Sequence, residues 1–381
     1  MKLAFCLFKY YPHGGLTRDF LQIIEVCQQR GHSIDIFTMK WNNVLKDLNV
    51  IQIPYRGLTN HHCCASFVKN LFSTIRTDDY DAIIGFNRMP GLDICYAADL
   101  CYKYIAEQQH CALYHLSNRY HTYAAFENAV FSPNSKTHIM YLAETVKQQY
   151  IKYYGTQEDR FHLLSPGISK DFIAPSNAEQ IRSNLRQKFH LQPQQKLILL
   201  IGSNFFLKGV DRALQALAAL PEDLRKNTLL WIIGKGKIRF YKWCAKKLGV
   251  NTNVKFLSLQ DNISEFLLAA DLLIHPARFE AAGMVLLEAI ASSLPVLNTD
   301  TCGFAFHISR AQAGLVIPSP FKQENLNNGL VEMLTSKHYQ EWKKNALNYA
   351  NTENLYSRSE AADIIESLIS SRVTCTKECI A

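Results

Sequence analysis

The 381-residue chain is too long for one ordinary core and fits two domains of roughly 150 to 200 residues each. Its 48% hydrophobic and 19% charged residues exclude a disordered chain, and no run reaches about 18 apolar residues, which excludes a bilayer-spanning helix. The formal charge of +8, from 41 Lys+Arg against 33 Asp+Glu, is dispersed, so it favours anionic partners such as nucleotide phosphates without arguing for nucleic acid.

In chain order, residues 3–8 form an apolar run that reads as a first buried strand, since no small-residue cleavage site follows it. Pro12, Gly14 and Gly15 then make a glycine loop, residues 17–29 an amphipathic helix, Gly31 its C-cap, and residues 33–38 a second strand. Strand, loop, helix and strand make a right-handed βαβ unit, the opening of a Rossmann-like half. Residues 81–86 and 137–141 supply further buried strands. A second cycle begins at Lys196, with strands at 197–202, 229–234, 253–256, 272–275 and 295–298 alternating with helices at 210–220, 240–248, 263–270 and 284–292. Helices at 339–350 and 359–370 close the chain.

The pattern predicts an α/β protein of two Rossmann-like domains facing a central cleft. Residues 1–165 form an N-terminal Rossmann-like domain, 166–355 a second Rossmann-like domain, and 356–381 a helix and tail packing back on the first. Ser165, Pro166 and Gly167 supply the linker. Ligands of such sheets bind at the C-terminal ends of the strands, so function is sought on those loops.

The strongest local signal is the segment EAAGMVLLE, residues 280–288, directly after a strand. Its glycine and the helix that follows set the backbone N–H groups of Gly283, Met284 and Val285 at a helix N-terminus, a ready site for a diphosphate. Glu288 lies about one turn into that helix, within reach of a ribose hydroxyl pair, and Glu280 stands before it. By spacing alone, two glutamates eight apart read first as a solvated pair.

Lys208, in SNFFLKGVDR between a strand end and a helix start, is a point charge for phosphate or else a surface lysine. Gly14 and Gly15, with Arg18 and Asp19, allow close backbone approach, but G-x-G-x-x-G is absent, and no acidic residue closes the second strand, against a nicotinamide enzyme. In GFNRMPGLDICYAADLCY, Asp99 is aimed at a cleft or caps a helix, with Asp93 as its competitor. His275, beside Pro276, reads as a packed structural histidine. No G-x-S-x-G, H-E-x-x-H, P-loop or C-x-x-C motif is present.

Eleven scattered cysteines without metal-ligand spacing suit reduced thiols in a cytosolic protein. Lys235, Lys237, Arg239, Lys242, Lys246 and Lys247 fall at helical spacing and read as a solvated face. Between residues 102 and 126, tyrosines interleave with Lys103, His110, His115, Arg119 and His121, which suits either a weak contact with an anionic membrane or tyrosines packed under a loop.

Taken together, PHGGLTRDF, GFNRMPGLD with Asp99, LKGVDR and EAAGMVLLEA resemble the retaining glycosyltransferase family 4, which has the GT-B fold, over residues 1 to about 365. The resemblance implies UDP-glucose as donor, an inner-core heptose of lipopolysaccharide as acceptor, retained anomeric configuration, and no cofactor or metal. It implies a cytoplasmic enzyme, peripheral on the inner face of the inner membrane. Gly14 and Gly15 then approach the sugar and diphosphate, Asp19 lines the acceptor side, and Asp99 holds sugar hydroxyls. Lys208 contacts phosphate and Glu280 the transferred sugar. Gln260, Ala281, Gly283, Met284 and Val285 line the donor, and Glu288 binds ribose. The chain departs from the family where basic residues are common: Ser203, Leu207, Gln260 and Phe172 stand there, which leaves a GDP-mannose or UDP-GlcNAc donor, or a sugar-binding protein without turnover, as alternatives, beside a nucleotide-sugar epimerase that would share the architecture.

Overall fold

The computed structural model describes residues 1–12, 14–42 and 48–378, with side chains through residue 371. The side chains of Cys375 and Cys379 lie outside the described residues. The chain divides into two compact units, Met1–Gly167 with Ser357–Ala381, and Ile168–Tyr356.

The first unit is built on a seven-stranded sheet of β1 (Lys2–Lys9), β2 (Ser33–Lys40), β3 (Asn49–Gln52), β4 (Ala82–Gly85), β5 (Ile94–Ala97), β6 (His138–Tyr141) and β7 (Phe161–Leu163), in the order β3-β2-β1-β4-β5-β6-β7. Every pairing is parallel. Parallel strands are covered on both faces, which is why β1, β4 and β5 are apolar along their length rather than alternating. Phe5, Phe20, Phe86 and Tyr96 pack ring against ring at 4.8 to 6.0 Å between centroids, a cluster that fixes the helix Gly15–Gln29 to the sheet. The C-terminal helix Ser359–Glu378 belongs to this unit, where Arg30 meets Asp363 at 2.7 Å and Glu366 at 3.0 Å.

The second unit holds a six-stranded parallel sheet of β8 (Lys196–Ile201), β9 (Thr228–Ile233), β10 (Val254–Leu257), β11 (Leu272–His275), β12 (Val296–Thr299) and β13 (Gly314–Ile317), in the order β10-β9-β8-β11-β12-β13. Its core includes Leu200, Val210, Leu214, Leu217, Ile232 and Leu330, all but inaccessible. Burying each such side chain stabilises the fold by about 1.5–3 kcal/mol relative to leaving it in water. In both sheets the order reverses once, between β1 and β4 and between β8 and β11, and the loops at those C-terminal ends are where doubly wound sheets take their ligands.

Candidate functional site

In the second unit, the loop after β8 carries Lys208 and the loop after β11 carries Glu280, so the two residues arise on adjacent strands at the point of reversal. The Lys208 ammonium donates to Glu280 Oε2. His275, the last residue of β11 and fully buried, sets its Nε2 3.4 Å from the same oxygen. Burial pushes the Glu280 carboxyl up, but Lys208 and His275 outweigh it and hold it down at about 2. Burial lowers the His275 ring below the ordinary histidine value, so the imidazole is neutral at pH 7 and polarises Glu280 without adding charge. His275 is thus packed, as its position suggested, but it also touches Glu280, a contact that sequence reasoning missed.

Two backbone positions make this geometry. Gly209, next to Lys208, has φ +69°, and a Cβ there would stand 2.0 Å from the Pro276 carbonyl oxygen, so only glycine lets the two loops approach. Gly283 has φ +92° and caps the helix Met284–Ala291 in the left-handed region. The first-turn amides at Met284 and Val285 have no acceptor within a helix, and they point with the positive end of its dipole. The turn before them is tied down: Gly303 N donates to Glu280 O at 3.2 Å and Phe304 N to Ala282 O at 2.7 Å. Ala281 sits in that turn. Glu288 is the fifth residue of the helix and 7% exposed.

Ser203 is exposed and Leu207 half-buried, so the Lys208 loop carries no arginine of its own. Arg278 approaches that loop from the β11 side, donating to Phe206 O at 2.8 Å, but its guanidinium is bound fork to fork to Asp211 at 2.9 and 2.7 Å. Gln260 follows β10 and donates to the Ser258 and Leu259 carbonyls at 3.2 and 3.1 Å. Phe172 belongs to a short helical turn whose carbonyl accepts from Ser292.

In the first unit, Gly14 and Gly15 open the helix after β1, and Asp99 follows β5 by two residues, so both stand at the C-terminal edge of the sheet. Asp93 precedes β5, and its Oδ2 accepts from Ile83 N at 2.7 Å. It therefore serves the opposite edge, where Asp93, Asn134, Ser135, Lys136, His138 and Arg160 line a wide depression. Asp99 keeps 67% of its side chain exposed and receives Arg88 Nη2 at 3.3 Å. Arg88 also donates to Glu127, to Leu100 O at 3.1 Å and to Tyr150 Oη at 3.1 Å. Glu127 is fully buried and accepts further bonds from Tyr102 N at 2.7 Å, Lys103 N at 3.2 Å and Tyr154 Oη at 2.7 Å. Sequence reasoning missed both Arg88 and Glu127, although Arg88 lies inside the GFNRMPGLD segment.

Asp19, expected beside the acceptor, is instead committed: Tyr96 Oη donates to one oxygen at 2.7 Å and Arg358 Nη2 to the other at 2.8 Å, with the carboxylate 5% exposed. Both oxygens therefore hold a partner, and the pair of bonds ties the first helix to β5 and to the segment before the last helix. The tyrosines at 102–123 are half-buried and bond to one another, Tyr102 to Tyr114 at 2.7 Å, while Leu113 and Leu116 stand 75% and 73% exposed beside them. Among the described residues no three His, Cys, Asp or Glu side chains gather as metal ligands, and no helix is long and apolar enough to cross a membrane.

Residues 181–349 match the family model for glycosyl transferases group 1. The chain is 45% identical over 368 residues to the lipopolysaccharide glucosyltransferase WaaG of Escherichia coli (strain K12), covering 96% of this chain and 98% of that one. It superposes on the crystal structure of WaaG, a glycosyltransferase involved in lipopolysaccharide biosynthesis, with a TM-score of 0.90 over 95% of this chain and 99% of that one. Anabaena Alr3699/HepE in complex with UDP and glucose shares the fold at a TM-score of 0.74 and 16% identity, covering 98% and 100% of the two chains.

Proposed function

The chain belongs to the group 1 glycosyl transferases, and we propose that it moves glucose from UDP-glucose to an inner-core heptose of lipopolysaccharide with retention of configuration. The observation that carries this reading is the meeting of Lys208, Glu280 and the helix N-terminus at Gly283 around the strand-order reversal of one Rossmann-like sheet. A cation and free amides answer the charge that develops on a departing diphosphate. Glu280 addresses the transferred sugar and Glu288 the ribose, while Asp99, backed by Arg88, offers an exposed carboxylate for sugar hydroxyls in the other unit. Similarity to an enzyme named a lipopolysaccharide glucosyltransferase supports the acceptor class and the donor sugar.

Retention follows from attack on the face that the leaving group vacates. The bond from the anomeric carbon to the phosphate oxygen breaks, the bond to the acceptor oxygen forms, and the acceptor proton passes to the leaving phosphate oxygen. Glu280 is a poor nucleophile here, since Lys208 and His275 stabilise its charge and hold its pKa at about 2. Its carboxylate instead steadies positive charge at the anomeric centre, and Lys208 steadies the diphosphate. The enzyme works at the cytoplasmic face of the inner membrane, with Leu113 and Leu116 and their neighbouring tyrosines and cations making a weak peripheral contact.

Thermal shifts with UDP and GDP at matched concentrations test the donor assignment. A larger shift with UDP is the expected result. A larger shift with GDP would move the donor to a guanosine sugar, and a free or epimerised sugar formed without acceptor would replace transfer by epimerisation.

A further inference from the structure

The helix Ile238–Lys247 presents two unlike faces. Ile238, Tyr241 and Ala245 pack into the core of the second unit. On its outer side Phe240 is 51% and Trp243 52% exposed, three residues apart and therefore on one face, with ring centroids 6.0 Å apart. Phe206, from the loop after β8, is 51% exposed, and with Phe240, Asn204, Gly236 and Lys237 it lines a shallow groove. Lys235, Lys237, Arg239, Lys242, Lys246 and Lys247 surround these rings and are all exposed. No acidic residue occurs in the sequence between Asp223 and Asp261. Asp211, the carboxylate whose charge reaches Tyr241 and Cys244, is neutralised by its two-point bond to Arg278.

A solvated helix face accounts for the cations and leaves the rings unexplained. Two large aromatic side chains half in water, side by side, lose apolar contact that a core position would have given them. Aromatic rings at the level of lysine ammonium groups are the composition of a surface that lies in a lipid headgroup layer, where rings enter the acyl boundary and the long cationic stems reach phosphates. Lys247 already lies 4.1 Å over the Trp243 ring, so cation and ring are presented together. We propose that this face of the second unit docks on an anionic lipid bilayer. It uses residues other than those of the tyrosine-rich segment of the first unit.

The full chain is floated with vesicles of phosphatidylcholine alone and of phosphatidylcholine mixed with phosphatidylglycerol, without donor or acceptor. Wild type, F240S/W243S, K242Q/K246Q/K247Q and L113S/L116S are compared, with UDP affinity measured on each as a check of fold and site. Each cation near an anionic leaflet raises partitioning about fivefold, so the triple lysine variant falls about a hundredfold. F240S/W243S falls at least about tenfold, and high salt weakens wild type toward the lysine variant. Trp243 emission, read as the difference between wild type and W243F, shifts to the blue only on anionic vesicles. The proposal is overturned if both variants of this helix partition like wild type, if L113S/L116S alone abolishes binding, or if F240S/W243S loses UDP affinity while vesicle binding stands. It is overturned equally if these substitutions abolish self-association and leave partitioning unchanged. Vesicle partitioning is read without any nucleotide, so a wrong donor or acceptor assignment leaves it unaltered and shows itself instead as wild-type protein that does not bind UDP.

Discussion

Glu280 accepts a hydrogen bond from the Lys208 ammonium across 72 residues of sequence, so the cation suited to a diphosphate is already paired in the free protein. On the proposed function, a nucleotide diphosphate competes with Glu280 for Lys208. Glu280→Gln removes that competition and should leave UDP affinity equal or a few-fold higher while cutting transfer by about two to three orders of magnitude. Glu288→Gln, placed within the helix and away from this pair, should instead weaken UDP itself. Calorimetry with UDP and steady-state rates on both variants check the division. Equal losses of UDP affinity in the two would show that the sugar and ribose roles are misassigned.

Lys208→Ala should lower transfer by about two to three orders of magnitude, the scale of a removed charge that acts on the transition state. The same variant should alter acid stability. In the wild type Glu280 titrates near 2, below its ordinary 4.5, so the ionised carboxylate contributes stability above about pH 4.5 and loses it as pH falls toward 2. Without Lys208 the burial that pushes the carboxyl up is less opposed, and the loss begins at higher pH. Urea unfolding of both proteins between pH 7 and about pH 3 reads this directly; parallel curves would contradict it.

Arg88 is held between the buried Glu127 and the exposed Asp99. Removing the buried partner leaves the guanidinium with only the exposed Asp99 as counter-charge and strips Tyr102 N, Lys103 N and Tyr154 Oη of their acceptor, so Glu127→Ala should destabilise the first unit by about 3–5 kcal/mol. Arg88→Lys keeps a charge but forfeits the fork that reaches Glu127 and Asp99 together, and it should raise the Michaelis constant or lower turnover with less effect on UDP affinity. Denaturant unfolding and kinetics on the two variants separate the structural part from the positioning part.

His307 is buried, hydrogen-bonded to Tyr349 Oη at 2.6 Å, and burial together with Arg310 lowers its pKa to about 4. The unfolded chain binds this proton near pH 6.5 and the folded chain does not, so stability is full above about pH 6.5 and falls between there and pH 4. From about pH 7 to about pH 5.5 the loss is about 1 kcal/mol. His275, shifted the same way, adds to it. His307→Gln should flatten the pH dependence measured by urea unfolding; an unchanged slope would remove His307 as its source.

Of the thirteen strands among the described residues, nine are legible in the sequence as apolar runs. Of the four that are not, β3, β7 and β13 are edge strands of three or four residues with at least one half-exposed face, so burial leaves a weak imprint on them. β5 is fully buried, but the turn at Pro90 and Gly91 ahead of it and the small Ala97 and Ala98 at its end leave only Ile94, Cys95 and Tyr96 as a large apolar run. The helix Met284–Ala291, with its glycine cap, is equally legible because its geometry depends on local residue types. The partners of Asp19, Asp99 and Glu280 were not, since Arg358, Arg88 and Lys208 reach them through tertiary contacts that spacing does not encode. The lysine cluster was visible as cations, but the exposure of Phe240 and Trp243 emerges only once the helix is seated on the sheet.

The most direct test of the central claim is the product of reaction with UDP-glucose and a core-truncated lipopolysaccharide ending in heptose, characterised by mass and by the coupling constant of the new anomeric proton. The account predicts an added hexose whose anomeric configuration equals that of the donor. A product of inverted configuration, or a donor consumed to free sugar with the acceptor unchanged, would contradict it.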